Sequence, residues 1–178
     1  MQKKKKQNIV LIGFMGVGKG RTARALAELT GRFAIDTDDL IESRIKMKIR
    51  SLFAEQGEPA FRKLERTVAG WLVENVQETV ISTGGGFFAV PKIRKIGKVV
   101  YLHAEVESIL ATIQQHPDGA KKIKKRPLLA DLEKAKELFA KRLPLYRSCA
   151  HLEIDVQGKS AEAVAEEICL QLGIQKRD

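Results

Sequence analysis

The stretch GFMGVGKGRT, Gly13–Thr22, is made of residue types that hold phosphate. Gly13 and Gly18 have the spacing of a phosphate-cradling loop, and Lys19 follows them. Glycines let backbone N–H groups turn toward anionic oxygens, and a helix that begins there adds its positive end. Gly13, Gly16, Val17 and Gly18 would form the cradle, and Lys19 would bridge the β- and γ-phosphates of a nucleotide. Where such a loop carries a hydroxyl for magnesium, this chain has Gly20, and Arg21 comes next. The motif is incomplete on its metal side. A plain glycine turn between strand and helix is the competing reading.

Three further groups could do chemistry. Asp36 and Asp38 follow a short apolar run, and two carboxylates at a strand's carboxyl end can serve a metal and a substrate hydroxyl. Asp38 could equally cap the helix after it. Thr83 precedes Gly84, Gly85 and Gly86, a run that costs backbone entropy and makes sense where a ligand approaches the chain closely. A bare turn is the alternative. Arg62, Arg126 and Arg142 are far apart in sequence, and each could grip a carboxylate or phosphate in bidentate fashion. Taken singly, each reads as a surface residue.

Such groups need elements to position them. NIVLI reads as a buried strand, and RTARALAEL after the glycine loop as a helix. RFAID, TVIST, KVVYLH and HLEIDV supply further strands. DDLIESRIK and SLFAEQG read as short helices, with Gly57 as a stop. PAFRKLERTVAGWLVENV reads as a longer one, with an apolar stripe of Phe61, Leu64, Val68, Trp71 and Leu72. VESILATIQ is helical, and residues from about 116 to 129 read as a mobile loop. Pro144 is expected to break or bend the helix DLEKAKELFAKRLPLYRSC late, and Ser160 to cap the last helix. Alternating strands and helices predict an α/β protein, a parallel sheet between two helical layers.

Composition narrows the class. The 178 residues, 44% apolar and 30% charged, suit one soluble domain. We divide it into a core of 7–115 and 130–173, a lid of about 116–129 and a basic tail of 1–6. Cys149 and Cys169 make no disulfide framework; Cys169 shares a helical face with Val164, Ala165, Ile168 and Leu172. The net charge of +10 gathers at Lys3–Lys6 and Lys121–Arg126, without interleaved aromatics for stacking on single strands. Binding to nucleic acid is therefore not expected. The start of the chain imitates a signal peptide, but Lys19, Arg21 and Arg24 interrupt it, and no membrane span follows. The expectation is a cytoplasmic monomer.

GFMGVGK, DTDDLIE, GEPAFRKLE, ISTGGG, KRPLL and AKRLPLYR occur in the order and rough spacing found in shikimate kinases. The chain resembles that family over roughly residues 8–172. The resemblance implies a nucleoside-monophosphate-kinase-like fold with a five-stranded parallel sheet and a lid. It implies transfer of the ATP γ-phosphoryl group to the 3-hydroxyl of shikimate with Mg²⁺, in aromatic amino-acid synthesis. By the same resemblance, Lys19, Asp38 and Arg126 are catalytic, with Asp38 engaging the hydroxyl and Arg126 reaching the phosphates from the lid. Asp36 would orient the magnesium shell. Arg62 and Arg142 would clamp the shikimate carboxylate, and Gly84, Gly85 and Gly86 would line the substrate. Gly13, Gly16, Val17, Gly18, Lys19, Gly20 and Arg21 would hold ATP.

The departures from the family cluster on the nucleotide side. Lys-Ser is replaced by Lys19-Gly20, and Thr22 is one position too far along the helix to stand in directly. The arginine that stacks on adenine, near Ala111 or Thr112, is missing, as is a proline near Ala161. The lid sequence GAKKIKKRPLL is longer and more basic than usual. A weakly active or non-catalytic shikimate-binding paralogue, and another small-molecule kinase of the same fold, are the alternatives.

Overall fold

The computed structural model describes residues 7–124 and 129–177. Five parallel strands run in the order β2-β3-β1-β4-β5. They are β1 (Asn8–Gly13), β2 (Ala34–Asp36), β3 (Val80–Ser82), β4 (Gly97–His103) and β5 (Leu152–Asp155). Seven α-helices flank them among the described residues: α1 (Lys19–Thr30), α2 (Thr37–Ile45), α3 (Ile49–Asn75), α4 (Val106–Gln114), α5 (Gly119–Lys124), α6 (Leu132–Cys149) and α7 (Ala161–Leu172). β1 lies at the centre with every residue buried, which explains its unbroken apolar run. From β1 the chain goes to the far edge and returns through β3, then crosses to β4 on the other side. The carboxyl end of β1 is therefore a topological switch point, where open α/β sheets bind ligands.

At the opposite end, buried Asn8 ties three segments together. Its Nδ2 donates to the carbonyls of Val76 and Ile96 at 2.8 and 2.9 Å, and its Oδ1 accepts from Thr79 N at 3.0 Å. These bonds satisfy backbone groups that the sheet leaves over where β3 and β4 begin.

Three details differ from the sequence reading. Trp71 is 46% exposed, while Phe61, Glu65, Val68, Ala69 and Leu72 are buried. At about 100° per residue the buried arc of α3 centres on Glu65 and Leu72, which leaves Trp71 about 100° to one side. Gly57 stops one helical segment as expected, with φ 75° and ψ 179°, and the expected second segment follows at once. Pro144 does not end α6, which continues to Cys149; Ala140, whose carbonyl loses its partner, is exposed to water. The expected loop at 116–129 contains the short helix α5.

Candidate functional site

Backbone geometry shapes the phosphate loop first. Gly16 and Gly18 sit at φ 82° and 104°, a region that favours glycine. The loop turns the chain from the end of β1 into α1, whose first turn carries no acidic residue. Lys19 is buried, and its Nζ donates to the carbonyls of Gly13 at 2.8 Å and Phe14 at 3.0 Å. Gly13 lies below the loop, its α-carbon face against the carbonyl of Leu102.

Sheet register places the acidic pair. Asp36 at the end of β2 aligns with Ser82 of β3, and Ser82 Oγ donates to Asp36 Oδ2 at 2.7 Å. The other oxygen, Oδ1, accepts from Asp38 N at 2.9 Å and caps α2. The capping role that could have explained Asp38 therefore belongs to Asp36. Asp38 is left with a buried Oδ1 that has no hydrogen-bond partner. Burial, then the charges of Asp36 and Glu65, push its pKa up to about 7, against the pull of Lys19.

The glycine run is explained by what lies against it. A Cβ on Gly84 would stand 2.8 Å from Asp38 Oδ1, and one on Gly86 would strike the Arg62 guanidinium. Neither position has a positive φ, so close approach and not backbone conformation requires glycine there. Arg142 Nη1 donates to Gly85 O at 3.2 Å, and Tyr146 Oη donates to the same carbonyl at 2.7 Å. Tyr146 is fully buried between Tyr101, stacked at 5.0 Å, and Phe88, edge-on at 4.7 Å. Arg142 lies 5.9 Å from the centre of the Phe88 ring.

Arg62 is held by two carboxylates of its own helix. Its Nη1 donates to Glu65 Oε2 at 2.6 Å, and its Nη2 donates to Glu58 Oε1 at 2.7 Å. Glu65 is buried with its other oxygen unpartnered, and burial pushes its carboxyl up against the pull of Arg62 and Arg142. Sequence reasoning gave no role to Glu65 or Tyr146. Glu65 had a signal: a carboxylate in line with Phe61, Val68 and Leu72, three residues from an arginine. Tyr146 had none beyond its place four residues after Arg142.

A cleft of about 500 Å³ joins most of these groups. Gly16, Gly18, Lys19, Gly20 and Arg21 line one side, and Asp36, Asp38, Ser82, Gly84 and Gly85 the other. Arg62, Arg142 and Gly86 lie along the outer flank of the glycine run and do not line the cleft itself. A second cavity of about 240 Å³ adjoins the loop and contains Val17, Thr22, Ser108, Thr112 and Gln157 on its walls. Thr22 thus faces this second space and not the phosphate cleft. Arg21 lines both spaces. Arg126 lies outside the described residues.

The donor set is all oxygen, which suits a hard cation. Gly20 adds none, and no cluster of three acidic, histidine or cysteine side chains among the described residues could cage an ion. The site fits a hydrated ion shared with phosphate, not one held by protein alone.

The sequence model of the shikimate kinase family matches residues 15–173. A shikimate kinase from Helicobacter hepaticus is 36% identical over 173 residues, covering 96% of this chain and 99% of that protein. One from Paracidovorax citrulli is 40% identical, with 93% and 91% covered. The solved structure of the Acinetobacter baumannii shikimate kinase in complex with shikimate is 35% identical and superposes with a TM-score of 0.81, over 94% of each chain. Phosphate loop, acidic pair and glycine run sit on the expected parallel sheet, and the chain belongs to the shikimate kinase family.

Proposed function

We propose that this chain transfers the γ-phosphoryl group of ATP to the 3-hydroxyl of shikimate in the cleft beyond β1, β2 and β3. One observation carries the reading. Asp38 presents a buried, unpartnered oxygen beside Gly84, with a pKa near 7, opposite the phosphate loop. A base poised near working pH is suited to accept a hydroxyl proton.

The hydroxyl donates a hydrogen bond to Asp38 Oδ1. Its oxygen forms the new bond to the γ-phosphorus as the bond to the ADP oxygen breaks, and the proton passes to Asp38. Lys19 exchanges the carbonyls of Gly13 and Phe14 for phosphate oxygens and stabilises the transferring charge. Arg62 and Arg142 grip the shikimate carboxylate from the flank of the glycine run, and the backbone of Gly84–Gly86 lines the ring. Arg126 keeps the phosphate contact that the KRPLL motif gives it. Mg²⁺, when bound, would neutralise phosphate charge, and Asp36, with Asp38 and Ser82 through water, would hold it. The nucleoside occupies the second cavity, where Ser108, Thr112 and Gln157 offer hydrogen bonds in place of a stacking arginine.

The test is ³¹P NMR of a reaction containing ATP, Mg²⁺ and shikimate, with 3-deoxyshikimate as control. A new phosphomonoester signal that the control lacks is the expected result. ATP breakdown at equal rates with both compounds, or no breakdown, would reject it.

A further inference from the structure

The first turns of α1 pair a missing hydroxyl with two arginines. Gly20 removes the side chain that would supply a loop hydroxyl; Arg24 lies against the space it leaves, and Arg21, next in sequence, lines the same cleft. Arg24 Nη1 lies 3.8 Å from the point where a Gly20 Cβ would sit, and Arg21 Nη2 lies 3.6 Å from the corresponding point on Gly18. Both arginines line the phosphate cleft with Lys19. Neither forms an ion pair within 4 Å among the described residues; the first turn of α1 holds no acid, and Glu28, four residues after Arg24, is the one acidic residue of the helix. The other acidic groups around them are Asp36 and Asp38 across the cleft and Glu162 at the start of α7, whose carboxyl feels the Arg21 charge. Arg21 also stands where the two cavities meet, the position a phosphate chain crosses between nucleoside and acceptor.

We infer that Arg21 and Arg24 form a cationic clamp on the nucleotide phosphates, so that this chain binds metal-free ATP nearly as tightly as Mg·ATP. The inference rests on the proposed ATP site and adds a specificity-determining pair to it. A guanidinium offers two parallel donors to phosphate and keeps its charge at any working pH. It can supply the neutralisation that a loop hydroxyl would otherwise direct through the metal. Both side chains are exposed, so the clamp's contribution fades with salt.

Isothermal titration of the full chain with ATP, in Mg²⁺ and in EDTA, tests it without turnover. Wild type should show dissociation constants within about threefold of each other. Arg21→Thr should weaken metal-free ATP by about tenfold or more and Mg·ATP by less, the range expected for a lost charged hydrogen bond. Arg24→Gln should give a smaller loss of the same kind, and Arg21→Lys should fall between wild type and Arg21→Thr. Titration with shikimate shows that each variant is folded. Wild-type binding that collapses in EDTA, or an Arg21→Thr protein that binds metal-free ATP as wild type does, overturns the inference while leaving phosphoryl transfer standing. A wild type that binds shikimate but no ATP in either buffer overturns both this inference and the nucleotide half of the proposed function.

Discussion

On the proposed acceptor side, Arg62 is paired to buried Glu65, Arg142 donates to Gly85 O, and the buried carboxyls of Asp38 and Glu65 feel one another's charge. On the donor side, Arg21 and Arg24 stand exposed on α1, and the loop contributes chiefly backbone and Lys19. The acceptor side resembles a preformed socket of buried charge, in which losing Arg62 strands Glu65. The donor side presents flexible cations over a backbone cradle, so one substitution shifts affinity without dismantling it. The departures from the family pattern fall on the side where physical coupling is weak.

The largest effect should come from the acceptor side. Asp38→Asn should lower kcat by about 10²–10⁴-fold while shikimate affinity changes little, because only the proton acceptor is lost. Single-turnover kinetics beside equilibrium binding would show this split. The same variant tests the burial cost. Folding raises this carboxyl from 3.8 to about 7. Its contribution to stability is therefore complete below about pH 4 and is lost as pH rises through about 7. Thermal melts from pH 4 to 8 should decline less in Asp38→Asn than in wild type.

Next come the arginines. Arg62→Ala and Arg142→Ala should each raise the shikimate KM strongly, by about 2–5 kcal/mol in binding if the carboxylate is left buried and unpaired. They should differ in stability. Arg62→Ala strands buried Glu65, whereas Arg142→Ala removes a bond to a carbonyl that Tyr146 still serves. Adding Glu65→Gln should recover the melting temperature of Arg62→Ala but not its KM. Equal losses of stability in the two single variants would break the contrast.

Tyr146→Phe is a smaller perturbation. It removes one of two donors to Gly85 O and should cost about 0.5–1.5 kcal/mol of stability with a few-fold rise in shikimate KM. Denaturant unfolding and steady-state kinetics would measure both.

The smallest effect is expected at Gly20. A side chain there meets only Arg24 Nη1, at 3.8 Å, so serine fits. Gly20→Ser should tighten Mg·ATP by less than about tenfold and leave shikimate affinity unchanged. A larger change, or one on the shikimate side, would erase the distinction between the two halves.

Much of this arrangement was readable from sequence because local rules governed it. The strand NIVLI, the positive-φ glycines and the Ser160 cap, which accepts from Ala163 N at 3.1 Å, follow from residue type and neighbours alone. The pairing of Asp36 with Ser82 did not, since it depends on a register between strands 46 residues apart. Nor did the stacking of Tyr146 on Tyr101, which joins α6 to β4. Trp71 misled because hydrophobic spacing defines a stripe but not its edge, and the true centre of that face is occupied by the carboxylate of Glu65. The glycine run was legible as a place of close approach. That Asp38 and Arg62 are what approach it required the fold.

The role of Asp38 as base is tested most directly by the pH dependence of kcat/KM for shikimate. Wild type should rise with pH along a limb of apparent pKa about 7, set by the burial of Asp38 among Asp36 and Glu65. Asp38→Asn should lose that limb on its residual activity. A wild-type profile flat from pH 5 to 9, or an unaltered limb in the variant, would contradict the assignment.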